Sequence, residues 1–172
     1  MRRGLAVCAL AAGLLAALPA ASRTAPACPV GRAVYAMAGR PDVTAGFRFV
    51  SKREGWLSEW ALYVASAKTG RRYWFLFDEG SAQYVNLIST EDVTKPGWSP
   101  PPSDGGPRPL GEMHYLASDD GLSYSLDLPD QRRAAPRFIL LPDLSEVLWS
   151  RAQPREAVPV AVFKQTGCKA AG

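Results

Sequence analysis

The sequence predicts an all-β, mainly antiparallel fold, a single β-sandwich or barrel-like domain of about nine strands with a proline-rich loop in the middle. Three observations carry this expectation. Apolar, β-branched and aromatic residues recur at period two through most of the chain. The segments are separated by short Gly, Pro and Asp turns. The region left after the N-terminal leader, about 150 residues, is one domain's worth of chain.

The leader comes first. Met1-Arg2-Arg3 is followed by an almost unbroken apolar run from Leu5 to Leu18, then Pro19 and the small residues Ala20, Ala21 and Ser22. A basic start, an apolar core and a small-residue exit are the parts of a secretory signal peptide. The run falls short of the roughly 20 apolar residues that span a bilayer. Residues 1–22 are therefore expected to be a Sec-type signal cut after Ala20 or Ser22, leaving 23–172 as a secreted domain with no stable membrane span. A twin-arginine signal would need a polar lead-in, and a lipoprotein a suitably placed Cys; Cys8 lies inside the run and Cys28 well past it. Arg outnumbers Lys fifteen to five, Ala is abundant and Asn86 is the sole Asn. That skew matches G+C-rich bacterial genomes and points to the periplasm.

Cys8 leaves with the leader, so Cys28 and Cys168 remain at the two ends of the mature chain. In an oxidising compartment they are expected to form one disulfide. Two cysteines and the single His114 cannot supply the usual four ligands of a structural zinc, so no metal is expected.

The strands are expected in order. Val34–Met37 and Ala45–Val50 come first, followed by Trp56–Ala65, where the even positions Trp56, Trp60, Leu62 and Val64 favour one face. Ala67–Gly70 turns into Arg72–Phe77, whose continuous apolar run predicts a strand covered on both faces. Asp78-Glu79-Gly80 then turns into Gln83–Ser89. From Pro96 to Pro109, six prolines and three glycines predict an exposed, partly polyproline loop between two β-rich halves. Met113–Ser118, the turn Asp119-Asp120-Gly121 and Ser123–Leu128 read as a hairpin. Phe138–Leu141 and Glu146–Ser150 read as another, with Asp143 alternatively capping a short helix to Arg151. Val158–Phe163 is expected as the last strand. Tyr63–Tyr73 is echoed by Tyr115–Tyr124, which reads more simply as two similar hairpins than as a duplication.

Composition excludes some functions. Twenty basic and sixteen acidic residues give a net charge of +4, and loss of Arg2 and Arg3 brings the mature chain near +2. The densest basic group, Arg132-Arg133 with Arg137, reads as a solvated loop, so nucleic acid is not an expected partner. Neither a Gly-x-Gly-x-x-Gly nor a Walker pattern occurs, and no cofactor is expected.

Catalytic candidates are few. Gly121-Leu122-Ser123-Tyr124-Ser125 lacks the final Gly and the strand-to-helix turn of a nucleophile elbow. Adjacent acids such as Asp119-Asp120 and Glu91-Asp92 fall in predicted turns, where solvation keeps both ionised. Glu112 and His114 share a strand face and are the pair a periplasmic hydrolase would use. Among the five tryptophans, Trp74 and Trp149 are expected in the core, while Trp56 and Trp98 are the candidates for an exposed binding surface. The leading expectation is an exported, non-enzymatic β-domain that binds a partner protein or envelope component. The alternatives are a hydrolase built on Glu112 and His114, and a carbohydrate-binding module with an aromatic platform.

Overall fold

The period-two segments become strands, and each strand pairs with the next in the chain. In the computed structural model, which describes residues 27–51, 54–81, 83–160 and 162–170, eight strands close into one antiparallel barrel. They are β1 (Ala33–Met37), β2 (Arg40–Phe49), β3 (Trp60–Ser66), β4 (Arg71–Ser81), β5 (Tyr84–Thr90), β6 (Glu112–Ser118), β7 (Phe138–Leu140) and β8 (Val162–Cys168). β8 returns to pair with β1, from Ala33 opposite Cys168 to Met37 opposite Phe163. The expected leader, 1–22, lies outside the described residues. No helix among the described residues is long and apolar enough to cross a membrane.

Inward positions alternate with outward ones along each strand, and the interior is packed with rings. Tyr35 meets Phe47 edge-on at 5.8 Å, and Phe77 meets Tyr115 at 5.0 Å. Phe75, Phe163, Leu62 and Met113 complete the filling. Burial pushes the phenols of Tyr35 and Tyr115 far above their ordinary range. Tyr35 donates to Pro136 O at 2.7 Å, whereas the buried Tyr115 hydroxyl has no partner.

The continuous apolar run of β4 is covered on both faces, as expected. Tyr73, Phe75 and Phe77 point into the barrel core. Trp74 and Leu76 pack outside with Trp56, Ile88 and Val93 in a second cluster. Part of the cover is the proline-rich loop, pinned where Trp56 Nε1–H donates to Pro101 O at 2.7 Å. The loop connects the first five strands to the last three within one barrel. It joins β5 to β6, which pair directly from Val85 opposite Tyr115 to Ile88 opposite Glu112.

Several expectations are corrected or narrowed. The strand count is eight rather than nine, because Ser123–Leu128 makes a single bridge, Ser125 with Ala117, and then leaves β6. The supposed echo of the β3–β4 hairpin therefore has no second ladder behind it. Of the two readings open after Asp143, strand or short helix, the helix is the one present: Glu146–Ser150 belongs to α1 (Leu144–Ser150), whose buried Leu144, Val147 and Leu148 follow helical spacing. That helix turns Trp149 outward, 52% exposed, with Arg155 over its ring at 5.9 Å, so Trp149 is not core. The last strand begins at Val162 and runs on through Gly167 and Cys168, polar residues recruited because β1 needs a partner.

The predicted disulfide is present between Cys28 and Cys168, with Cα atoms 5.7 Å apart. It ties the segment before β1 to the end of β8. The opposite tie comes from Glu156, 3% exposed, which accepts from the Ser66 hydroxyl, from Thr69 Oγ1 at 3.3 Å and from the Tyr73 phenol at 3.4 Å. Burial, then the charge of Glu156, raises the Tyr73 phenol above its usual value.

Candidate functional site

Cations that are scattered in the sequence are gathered by the barrel's closure. A 3₁₀ turn at Val30–Arg32 brings Arg32 beside the C-terminal end of β8. Arg32 Nε–H donates to Lys169 O at 2.6 Å, and Lys169 N–H returns a bond to Arg32 O at 2.8 Å. Arg48 comes from β2 and Arg72 from β4. These four cations line one cleft of about 600 Å³, and no carboxylate lines it. Sites of that size suit small ligands.

The same cleft is walled by aromatic rings. Across β2, β3 and β4 the register places Gly46 opposite Tyr63 and Tyr63 opposite Trp74. The Tyr63 and Trp74 rings lie 5.4 Å apart, and Arg72 holds its guanidinium 4.9 Å from the first and 5.7 Å from the second. Cation–π contact of this kind fixes the guanidinium while leaving its N–H groups available. At the end of β2, Phe49 is 53% exposed and meets the buried Trp60 edge-on at 5.6 Å. Trp60 Nε1–H is buried and has no acceptor among the described residues. Its ring is also close to the 3₁₀ turn, where a Cβ on Gly31 would come within 2.9 Å of it.

Electrostatically the cleft is one-signed. Among the described residues, the ion pairs involve Arg40 with Asp42, Lys95 with Glu91, His114 with Asp143 and Arg133 with Asp127. None uses Arg32, Arg48, Arg72 or Lys169. Arg72 does lower the carboxyl of Asp92, behind the stronger contributions of the Thr94 hydroxyl and backbone N–H. That influence stops short of an ion pair. An arrangement of unpaired cations and ring faces binds anions.

The residues singled out from sequence fall elsewhere. Trp56 is 4% exposed beneath the proline-rich loop, so it presents no platform. Trp98 is half-buried against the same outer cluster. Glu112 is exposed on the outer face of β6, and the carboxylate that pairs with His114 is Asp143. His114 Nδ1 lies 2.7 Å from Asp143 Oδ2, which also accepts the His114 backbone N–H at 2.8 Å. The Tyr84 ring covers the imidazole at a centroid distance of 3.8 Å. Among the described residues no serine, threonine or cysteine side chain is hydrogen-bonded to His114, whose polar partner is Asp143. No cluster of three His, Cys, Asp or Glu side chains able to hold a metal occurs among the described residues. Arg133 is occupied by Asp127 at 3.2 Å, which disperses the basic group read from sequence.

The cationic cleft itself was missed. Its members are separated by up to 137 residues, and the pairing of β1 with β8 makes Arg32 and Lys169 neighbours. The available signal was the outward position of Arg48 and Arg72 on strands rich in aromatics. No family model, curated protein or solved structure matches this chain, so the cleft's chemistry is read from its own residues.

Proposed function

We propose that the mature chain is exported to the periplasm or beyond, and that it is a non-enzymatic binding domain for an anionic component of the cell envelope. The observation that carries this reading is the cleft at Arg48 and Arg72, where four cations and several rings converge without a carboxylate. Export is supported by the short apolar leader and by the disulfide, which persists in oxidising compartments. The closed barrel supports a binding role for its outer surface, because its interior is filled by its own side chains.

The test is a titration of the oxidised, leader-free protein with acidic envelope polymer at increasing salt. The expected result is binding that weakens as salt rises and that drops in the Arg48→Ala, Arg72→Ala double variant. Salt-independent binding, or binding unchanged in that variant, would overturn the reading. Crosslinked capture from native envelope then identifies the physiological component.

A hydrolase at His114 is the second reading, favoured by the Asp143 contact that orients its imidazole. His114→Ala separates the two: it abolishes any hydrolysis of envelope material while leaving cleft binding intact.

A further inference from the structure

Resting on that reading of the cleft, we propose that its ligand is an acidic saccharide, with Arg72 taking the carboxylate, Phe49 the apolar face of the sugar ring, and Trp60 supplying a neutral donor. Each element of the ligand corresponds to one feature of the cleft. The Arg72 guanidinium is fixed over Tyr63 and Trp74, and among the described residues it has no ion-pair partner. A planar fork of N–H donors matches a carboxylate through two parallel bonds.

Phe49 offers a ring face at the cleft, and its 53% exposure is high for a side chain of this type. A pyranose carries a C–H face of similar size beside its hydroxyls. Trp60 is 7% exposed, lines the same cleft, and among the described residues its Nε1–H has no acceptor. Leaving a buried donor unpaired is costly, and a ligand hydroxyl or carboxylate oxygen removes that cost. The donor is shielded from solvent, so binding requires side-chain movement beside Trp60, and the exposed Phe49, packed edge-on against that ring, is its neighbour at the cleft.

Two features favour a saccharide over an acidic peptide. Each of the eight strands has a neighbour on both sides, which leaves only short stretches of free edge along which a peptide could add a strand. The concave volume, about 600 Å³, holds one or two sugar rings and falls short of an extended protein interface.

The experiment titrates the oxidised protein with trigalacturonate, its neutral counterpart trigalactose, and hexaglutamate, following affinity and the indole N–H resonances. The expected result is binding of trigalacturonate about tenfold or more tighter than either comparison, from the added charge-assisted bonds. One buried indole N–H should shift on binding, and Trp60→Phe should remove that signal and weaken trigalacturonate about tenfold, as loss of a buried donor predicts. Because Trp60→Phe changes the packing, the shift in the unsubstituted protein stands as an independent readout. Hexaglutamate binding as tightly as trigalacturonate, or an unmoved Trp60 resonance with bound sugar, overturns the saccharide assignment alone. Failure of both acidic probes overturns it together with the anion-binding reading.

Discussion

Gly46 faces Tyr63 across the β2–β3 ladder, and the side chain that Gly46 lacks is the space that the Tyr63 phenol occupies. A Cβ there would come within 2.5 Å of the Tyr63 hydroxyl and 2.7 Å of its ring. Because Tyr63 carries Arg72 over its face, this glycine sets the position of the guanidinium as well as the ring.

Gly46→Ala is therefore a positioning variant. The far end of Tyr63 can move, so folding stability should fall by only about 1–2 kcal/mol. Affinity for an acidic probe should fall about tenfold, equivalent to about 1.4 kcal/mol. Calorimetric titration beside a thermal melt checks both, and full affinity in the folded variant contradicts the role given to Tyr63.

The disulfide bears on the same cleft. Cys168 precedes Lys169, whose carbonyl and N–H are both bonded to Arg32. The Cys28–Cys168 bridge closes a sequence separation of 140 residues. The paired Cys28→Ser, Cys168→Ser variant should lose about 2–5 kcal/mol in urea unfolding, mainly through a freer unfolded chain. It should also bind acidic probes more weakly, because the Arg32–Lys169 lip loosens. Free-thiol titration of the unreduced protein should find none of the Cys28 and Cys168 thiols reactive.

Glu156 is the polar tie of the barrel away from the disulfide. Glu156→Ala strips an acceptor from three hydroxyls, on Ser66, Thr69 and Tyr73. Unfolding should show a loss of about 2–4 kcal/mol, the usual consequence of orphaning buried polar groups. Glu156→Gln, which keeps an acceptor oxygen, should recover part of it. An unchanged urea midpoint in Glu156→Ala would remove this tie from the account.

Acid should loosen the turn after β6. The backbone N–H groups of Ser123 and Leu122, with the Ser118 hydroxyl, pull the Asp120 carboxyl down to about 2. A carboxylate depressed in the folded state contributes stability above its unfolded pKa and loses it as pH falls. The Asp120 contribution is thus present above about pH 4 and disappears towards about pH 2. Carboxyl NMR titration should place its midpoint near 2, whereas an ordinary carboxylate midpoint contradicts the cradle.

Much of the fold was legible in the sequence because the barrel obeys period two. The Tyr-Trp-Phe-Leu-Phe run of β4 correctly signalled a strand covered on both faces, and the expected pairing of Cys28 with Cys168 is the bridge present. The failures have particular causes. Asp120-Gly121 makes a tight turn, but Asp120 uses its carboxylate to fold the following N–H groups back, and no second ladder follows. Strand and helix are both open after Asp143 in the sequence, because the helical period of Leu144, Val147 and Leu148 is too short to stand out beside the strand-like Val-Leu-Trp string. Lys164–Cys168 has no apolar alternation, because its strand is imposed by the open edge of β1. Trp56 stands after a glycine like a surface residue, yet the loop that buries it is more than forty residues distant, with Pro101 as the acceptor. The cleft was illegible for the same reason, since long-range register has no local sequence mark.

The most direct test of the central claim is a map of where an acidic probe touches the protein. Arginine Nε–H and indole N–H resonances are followed during titration of the oxidised protein with trigalacturonate. Perturbations confined to Arg48, Arg72, Trp60 and Trp74 are the predicted result. Perturbations centred on His114 and Tyr84 instead, with the cleft silent, would contradict it.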